Sequence, residues 1–201
     1  MTPLLVLLIA YLLGAIPFGY LLVKWITGAD VRGSGSGNIG ATNVLRTTGR
    51  AAGIATLLLD IGKGYLAVWI AGRFTEHDPL WTSAAALAVM AGHAWPVFLR
   101  FKGGKAVASF VGAFLCLTPL ALGAVLVVFV VAVAWTRFIS LGSIVAAAVF
   151  PLAVWIVGQP PLAVEAAAVL GAALIIYKHK GNIQRLRAGK ENVFTFGARK
   201  S

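Results

Sequence analysis

Residues that could do chemistry gather in four short polar segments. The first runs Gly33-Ser34-Gly35-Ser36-Gly37-Asn38-Ile39-Gly40-Ala41-Thr42-Asn43-Val44-Leu45-Arg46. Clustered glycines let backbone N–H groups approach an anion, and hydroxyls and amides add donors. Arg46 can grip a phosphate or carboxylate through two parallel hydrogen bonds. Gly35, Gly37 and Gly40 satisfy G-x-G-x-x-G. No strand pattern precedes them and no βαβ unit follows, so the match carries no dinucleotide site. A plain linker is the competing reading, but it has little use for Asn, Thr and Arg among its glycines.

The second segment runs from Gly92-His93-Ala94-Trp95-Pro96 to Phe101-Lys102-Gly103-Gly104-Lys105-Ala106. The amides of Gly103 and Gly104 and the Lys105 ammonium open an apolar, helix-prone run, an arrangement that binds anions. It is not a Walker A loop: Leu99 stands in place of the first Gly and Ala106 in place of the hydroxyl. The plainer alternative is a basic anchor at a membrane surface. His93 reads as a hydrogen-bonded packing residue. In the third segment, Ser140 and Ser143 share a helix face, although such serines often bond only backbone carbonyls. In the fourth, His179-Lys180-Gly181-Asn182-Ile183-Gln184-Arg185-Leu186 is followed by Gly189-Lys190-Glu191. His179 and Asn182 converge if this stretch is helical. Asp60 and Lys63, also spaced i,i+3, read as a mutually neutralising buried pair.

Several chemistries lack their residues. His-x4-Asp, the signature of a large acyltransferase superfamily, fails at His77, His93 and His179, which are followed at the fifth position by Thr82, Phe98 and Gln184. Acids are scarce near the basic segments, which disfavours a carboxylate-pair mechanism or a Mg2+ cage. Scattered histidines and the single Cys116 disfavour zinc and exclude an intrachain disulfide.

The elements that must carry these segments follow from composition. The chain has 201 residues, 60% of them hydrophobic and 11% charged, with a formal net charge of +11. A soluble domain of this size cannot hide so much apolar surface. The sequence therefore predicts an all-α integral membrane protein, a single polytopic domain over residues 1–201. Seven transmembrane helices are expected at residues 3–23, 51–72, 79–99, 106–118, 119–135, 138–157 and 162–177, the fourth and fifth being short. The first lacks a basic leader and a cleavage site and reads as a retained helix. Residues 106–135 are uncharged and too long for one crossing, and Thr118-Pro119 offers the break. Crossing twice there places residues 24–50, 100–105 and 178–201 on the inner side, with the N-terminus out and the C-terminus in. Every basic residue except Lys63 and Arg73 then lies inside, as the positive-inside rule asks.

Three of the polar segments also carry a family resemblance. The run Ser36 to Arg46, the run Gly92-His93-x-Trp95-Pro96 to Lys105-x-Val107-Ala108, and the run His179-x-x-Asn182-Ile183-x-Arg185-Leu186-x-x-Gly189-x-Glu191 resemble, in order, the signatures of the bacterial acyl-phosphate:glycerol-3-phosphate acyltransferases, the PlsY family. The resemblance spans essentially the whole chain. It implies transfer of a fatty acyl group from acyl phosphate to the 1-hydroxyl of sn-glycerol 3-phosphate. The products would be 1-acyl-glycerol 3-phosphate (lysophosphatidic acid) and phosphate, the first step of phospholipid synthesis. It further implies no cofactor and no metal, membrane lipids and the two phosphorylated substrates as partners, and no nucleic acid. The active site would face the cytoplasm from the bacterial inner membrane.

Under that resemblance the roles divide. Asn38, Arg46, Gly103, Gly104 and Lys105 are expected to bind substrate, the basic pair and the glycine amides taking phosphates. Ser36, Ser143 and Asn182 would orient substrates or donate to the developing oxyanion. His179 would contact phosphate or act as general base, a role a substrate phosphate could fill instead. A covalent acyl-Ser36 route is less favoured. An organic-phosphate transporter would show inverted repeats, which the sequence lacks. A lipid-binding scaffold would need only the basic tail and not Asn38, Asn43 or His179.

Overall fold

The structure, a computed structural model, describes residues 2–194. Met1 and residues 195–201, which include Arg199 and Lys200 of the expected inner tail, lie outside the described residues. The described residues form helices without strands. In hydrocarbon every backbone polar group needs a partner within the segment, and a helix supplies it.

Helices α1 (Pro3–Ala15) and α2 (Phe18–Thr27) cover the first apolar run. The span expected over residues 3–23 is interrupted within its length. Ile16 and Pro17 leave helical geometry, with ψ of 114° and 72°. Proline has no N–H to continue the ladder, and its ring crowds the turn before it. Helix α2 ends at Gly28, whose φ of 72° favours a residue without a Cβ. After a 3-10 turn at Val31–Gly33 come α3 (Ala41–Thr47), α4 (Arg50–Phe74) and α5 (Pro79–Ala94). A second 3-10 turn at Val97–Leu99 leads to α6 (Val107–Leu117). The break at Thr118 then opens α7 (Pro119–Thr136), followed by α8 (Ile139–Gly158), α9 (Leu162–Lys178) and α10 (Lys180–Arg187).

Among the described residues five spans are long and apolar enough to cross a bilayer: Pro3–Thr27, Arg50–Phe74, Pro79–Leu99, Pro119–Thr136 and Ile139–Gly158. A sixth arises if α9 and α10, bent by 55°, count together. With 11 residues, α6 reaches only about 16 Å of the roughly 30 Å core.

The chain forms two compact units, Met1–Cys116 and Leu117–Ser201. In the first, helices meet backbone to backbone. A Cβ on Gly14 of α1 would strike the Val89 carbonyl of α5, and one on Gly92 of α5 would strike the Tyr11 carbonyl of α1. The same exchange joins α4 and α6, through Gly64 against Ser109 and Gly112 against Ile61. Close approach of small residues replaces the hydrophobic driving force that lipid cannot supply. Val23, Val31, Ile39, Val44, Ala52 and Leu99 form a buried cluster around the first polar segment. In the second unit, Gly142 of α8 seats against Phe129 and Val133 of α7.

Candidate functional site

The first unit holds two of the polar segments. Residues 34–40 loop back onto α3, and Asn43 organises them. Its Oδ1 accepts from the Ser36 N–H at 2.8 Å. Its Nδ2 donates to the carbonyls of Asn38 at 2.8 Å, Ser34 at 3.1 Å and Val31 at 3.3 Å. The side chain is 2% exposed, so it is a fixed hub and not a solvent-facing amide. Asn38 uses its own Oδ1 to accept from the Gly40 N–H at 2.8 Å, an Asx turn that launches α3. These bonds leave Ser36 and Arg46 exposed on the loop and on α3. Beside the loop, the Arg32 guanidinium pairs with Asp30 at 2.6 Å and lies 5.2 Å from the Tyr20 ring centroid. The hydrogen bonds from Arg32 hold the Asp30 carboxyl below its usual range, and the same pairing raises the guanidinium.

The Lys102-Gly103-Gly104-Lys105 segment is held under backbone strain. Arg100, Phe101 and Ala106 have φ of 53°, 62° and 60°, a region that costs a non-glycine residue about 1 kcal/mol or more. The Phe101 N–H donates to the Pro96 carbonyl at 2.9 Å, and the Gly104 N–H to the His93 carbonyl at 3.0 Å. Gly104 therefore does not offer its amide to an anion as the sequence suggested. What it contributes is its missing side chain: a Cβ would run into the His93 ring, and one on Gly103 into the His93 carbonyl and Pro96. Lys105 follows directly, half-buried.

Beneath this loop lies the ion pair expected from spacing. Lys63 Nζ is 2.8 Å from Asp60 Oδ1, and the two side chains are 3% and 2% exposed. His93 Nδ1 stands 3.6 Å from the same carboxylate oxygen. Lys63 also donates to the Ile16 carbonyl at 2.8 Å, at the break between α1 and α2.

The second unit holds the other two segments. Of the two serines, Ser143 turns inward and donates to the Ile139 carbonyl at 2.9 Å. Ser140 instead donates to Glu191 Oε1 at 3.0 Å. The Asn182 amide, on α10, donates to the same oxygen at 2.7 Å, and Arg185 Nε reaches Oε2 at 2.8 Å. Glu191 is 5% exposed at its side chain, so a buried carboxylate gathers a serine from α8 and two residues from α10. The chain just beyond is fastened too, by the Phe194 N–H on the Arg137 carbonyl at 2.7 Å. His179 occupies the α9–α10 bend and is 2% exposed. Its Nδ1 lies 2.8 Å from the Ile175 carbonyl. A carbonyl only accepts, so Nδ1 carries the proton and Nε2 the lone pair of the neutral ring.

Ser36, Asn38, Arg46, Gly103, Gly104 and Lys105 thus belong to the first unit, and Ser143, His179 and Asn182 to the second. Two organising residues, Asn43 and Glu191, carried no role in the sequence reading. The signal for Glu191 was available: it is one of only 6 acids in the chain and sits among basic residues.

The glycerol-3-phosphate acyltransferase family model matches residues 4–189. A glycerol-3-phosphate acyltransferase of Geobacter sulfurreducens is 50% identical over 92% of this chain and 94% of that protein. One from Trichlorobacter lovleyi is 51% identical, again over 92% and 94%. The crystal structure of PlsY, an integral membrane glycerol 3-phosphate acyltransferase, in its glycerol 3-phosphate form superposes with a TM-score of 0.92. It is 38% identical and covers 97% of this chain and 96% of that one. Its lysophosphatidic acid form gives 0.89 at 36% identity, with the same coverage. Three ordered motifs, the helical fold and these full-length matches agree, and the chain belongs to the PlsY family of integral membrane glycerol-3-phosphate acyltransferases, enzymes of phospholipid synthesis.

Proposed function

We propose that the chain moves a fatty acyl group from acyl phosphate to the 1-hydroxyl of sn-glycerol 3-phosphate, releasing 1-acyl-glycerol 3-phosphate and inorganic phosphate. The observation that carries this reading is the pair of solved neighbours, one in a glycerol 3-phosphate form and one in a lysophosphatidic acid form. These are an acceptor and its acylated product. The donor is the one the family resemblance implies. An acyl phosphate is a mixed anhydride, already activated, so the protein needs to position it and to stabilise charge.

In this mechanism Arg46 and Lys105 bind substrate phosphates, with the Gly103 backbone shaping the approach. Ser36 and Asn38, fixed by Asn43, orient the bound groups. The acceptor hydroxyl attacks the acyl carbonyl, a tetrahedral oxyanion forms, and the C–O bond to phosphate breaks. Asn182, held by Glu191, would donate its second N–H to the developing charge, and Ser143 would do so by turning its hydroxyl away from the Ile139 carbonyl. The hydroxyl proton passes to His179 Nε2, which the Ile175 carbonyl leaves with its lone pair, or to the phosphate of the donor. A general base contributes about 100- to 10,000-fold, so His179→Gln separates these routes: a loss in that range assigns the proton to His179, and a loss of a few-fold assigns it to phosphate. The reaction runs at the cytoplasmic face of the bacterial inner membrane, on a chain crossing seven times with its C-terminus inside.

The test is reconstitution. Purified protein in lipid, given acyl phosphate and glycerol 3-phosphate, is expected to release phosphate and form the acylated product without a further protein. Activity with an acyl thioester in place of acyl phosphate, or no release at all, overturns the donor. A C-terminal tag reached from outside overturns the topology.

A further inference from the structure

We propose that Asp60, Lys63 and His93 are positioning residues for the Gly103–Lys105 loop, setting substrate-phosphate affinity through the His93 ring that abuts Gly104. The inference rests on the reading that Lys105 binds a substrate phosphate.

The geometry forms one continuous path. Lys63 Nζ bridges the Ile16 carbonyl and Asp60 Oδ1, at 2.8 Å each. Asp60 Oδ1 faces His93 Nδ1 at 3.6 Å. The His93 ring lies against the place where a Gly104 Cβ would stand, and the His93 carbonyl accepts from the Gly104 N–H at 3.0 Å. One residue later comes Lys105. The path therefore joins the α1–α2 break, the middle of α4 and the end of α5 to the segment that carries the phosphate-binding ammonium.

A pair whose only role was mutual neutralisation would need neither a third member nor a loop on top of it. Charged side chains within a membrane span are costly to keep. Here Asp60, Lys63 and His93 are exposed by 2%, 4% and 4%. Above them the loop holds Arg100, Phe101 and Ala106 at positive φ. Strain of that kind persists only where the surroundings over-determine the backbone. The His93 ring backs Gly104, the His93 carbonyl and Pro96 back Gly103, and the Asp60 carboxylate faces the other side of the ring at Nδ1, 3.6 Å away. No member of the triad needs to touch substrate for the loop to depend on it.

The experiment compares His93→Gln, His93→Ala and the charge-balanced Asp60→Asn/Lys63→Met variant with Lys105→Ala, each purified and reconstituted. KM and kcat are measured while each substrate is titrated in turn. Lys105→Ala identifies the substrate whose phosphate the loop binds. His93→Ala is expected to raise the KM for that same substrate about tenfold with kcat reduced less than about threefold, and His93→Gln to recover most of the loss. A second readout is trypsin cleavage at Arg100 and Lys102, compared with cleavage at the exposed Arg73 in the same sample. Cleavage within the loop should accelerate in His93→Ala and in the double variant while Arg73 does not change.

If Lys105→Ala changes neither KM, the phosphate-binding reading fails. If it raises a KM and the His93 and double variants leave that KM alone, or lower kcat only, the positioning role fails. Loop and Arg73 cleavage rising together also overturns it, because the triad would then support the unit as a whole.

Discussion

Replacing Glu191 should dismantle one end of the second unit in a graded way. Its Oε1 serves two donors, Ser140 at 3.0 Å and Asn182 at 2.7 Å, and its Oε2 serves Arg185 at 2.8 Å. Ser140 and Asn182 are each 6% exposed, so Glu191→Ala strands two buried donors. An abandoned buried donor costs about 1–3 kcal/mol. Arg185 is 38% exposed at its side chain and can turn to water, so its loss adds about 1 kcal/mol at most. The total is about 2–7 kcal/mol for Glu191→Ala. Glu191→Gln keeps a carbonyl oxygen for Ser140 and Asn182 and presents an N–H to Arg185, so it forfeits only the last contact, about 1 kcal/mol. Thermal unfolding in detergent reads the difference. For a chain of this size each kcal/mol moves the midpoint by about 2–4 °C, giving a drop of roughly 4–28 °C for Ala and less than about 5 °C for Gln. Turnover should follow the same order, since Asn182 loses its anchor in the first variant and keeps it in the second. A drop under about 2 °C for Glu191→Ala, or equal drops for both variants, refutes the division of labour between the two oxygens.

Three further outcomes follow from the same kind of accounting. Asn43→Asp presents a carboxylate to the carbonyls of Asn38, Ser34 and Val31, which the amide now satisfies. It should cost about 2–4 kcal/mol and lower turnover, whereas Ser36→Ala should lower turnover with little change in melting. Lys63→Met alone takes the ammonium from the buried Asp60 and should destabilise by about 3–5 kcal/mol, while Asp60→Asn/Lys63→Met recovers most of that, as compared by melting in one detergent. Asp30 is depressed by its hydrogen bonds from Arg32. Its contribution is therefore present above the unfolded carboxylate value and is lost as pH falls through the lower folded one. Below about pH 4 the melting temperature of the wild type should fall faster than that of Asp30→Asn, and parallel curves would deny the linkage.

The long apolar runs made most helices legible. An uncharged stretch bounded by basic residues admits few structures other than a span, and Thr118-Pro119 marked its own break. The Ile16–Pro17 break was missed because the residues on either side are as apolar as a continuous helix requires. The distant Lys63, whose Nζ takes the Ile16 carbonyl, helps to stabilise it. The site was legible in residue type but not in allegiance. Asn43 and Asn38 look alike in sequence, yet one is a buried hub and the other closes its own turn. Ser140 and Ser143 share a face, yet they separate by partner, a carboxylate 51 residues away against a carbonyl one turn back. Short-range spacing cannot rank such choices, because the deciding partner arrives from another helix.

The i,i+3 spacing of Asp60 and Lys63 also bears on how the protein is made. Between Arg50 and Arg73 at its ends, α4 carries one charge and its counter-ion a turn apart, so the stretch that enters lipid can leave the translocon electrically neutral. Helix α4 thus needs no later segment to rescue it during insertion. Its links to Ile16, which emerges earlier, and to His93, which emerges later, can then close in the bilayer. Separating the two charges onto different helices would keep the native ion pair and yet leave a newly synthesised α4 stranded until its partner arrived.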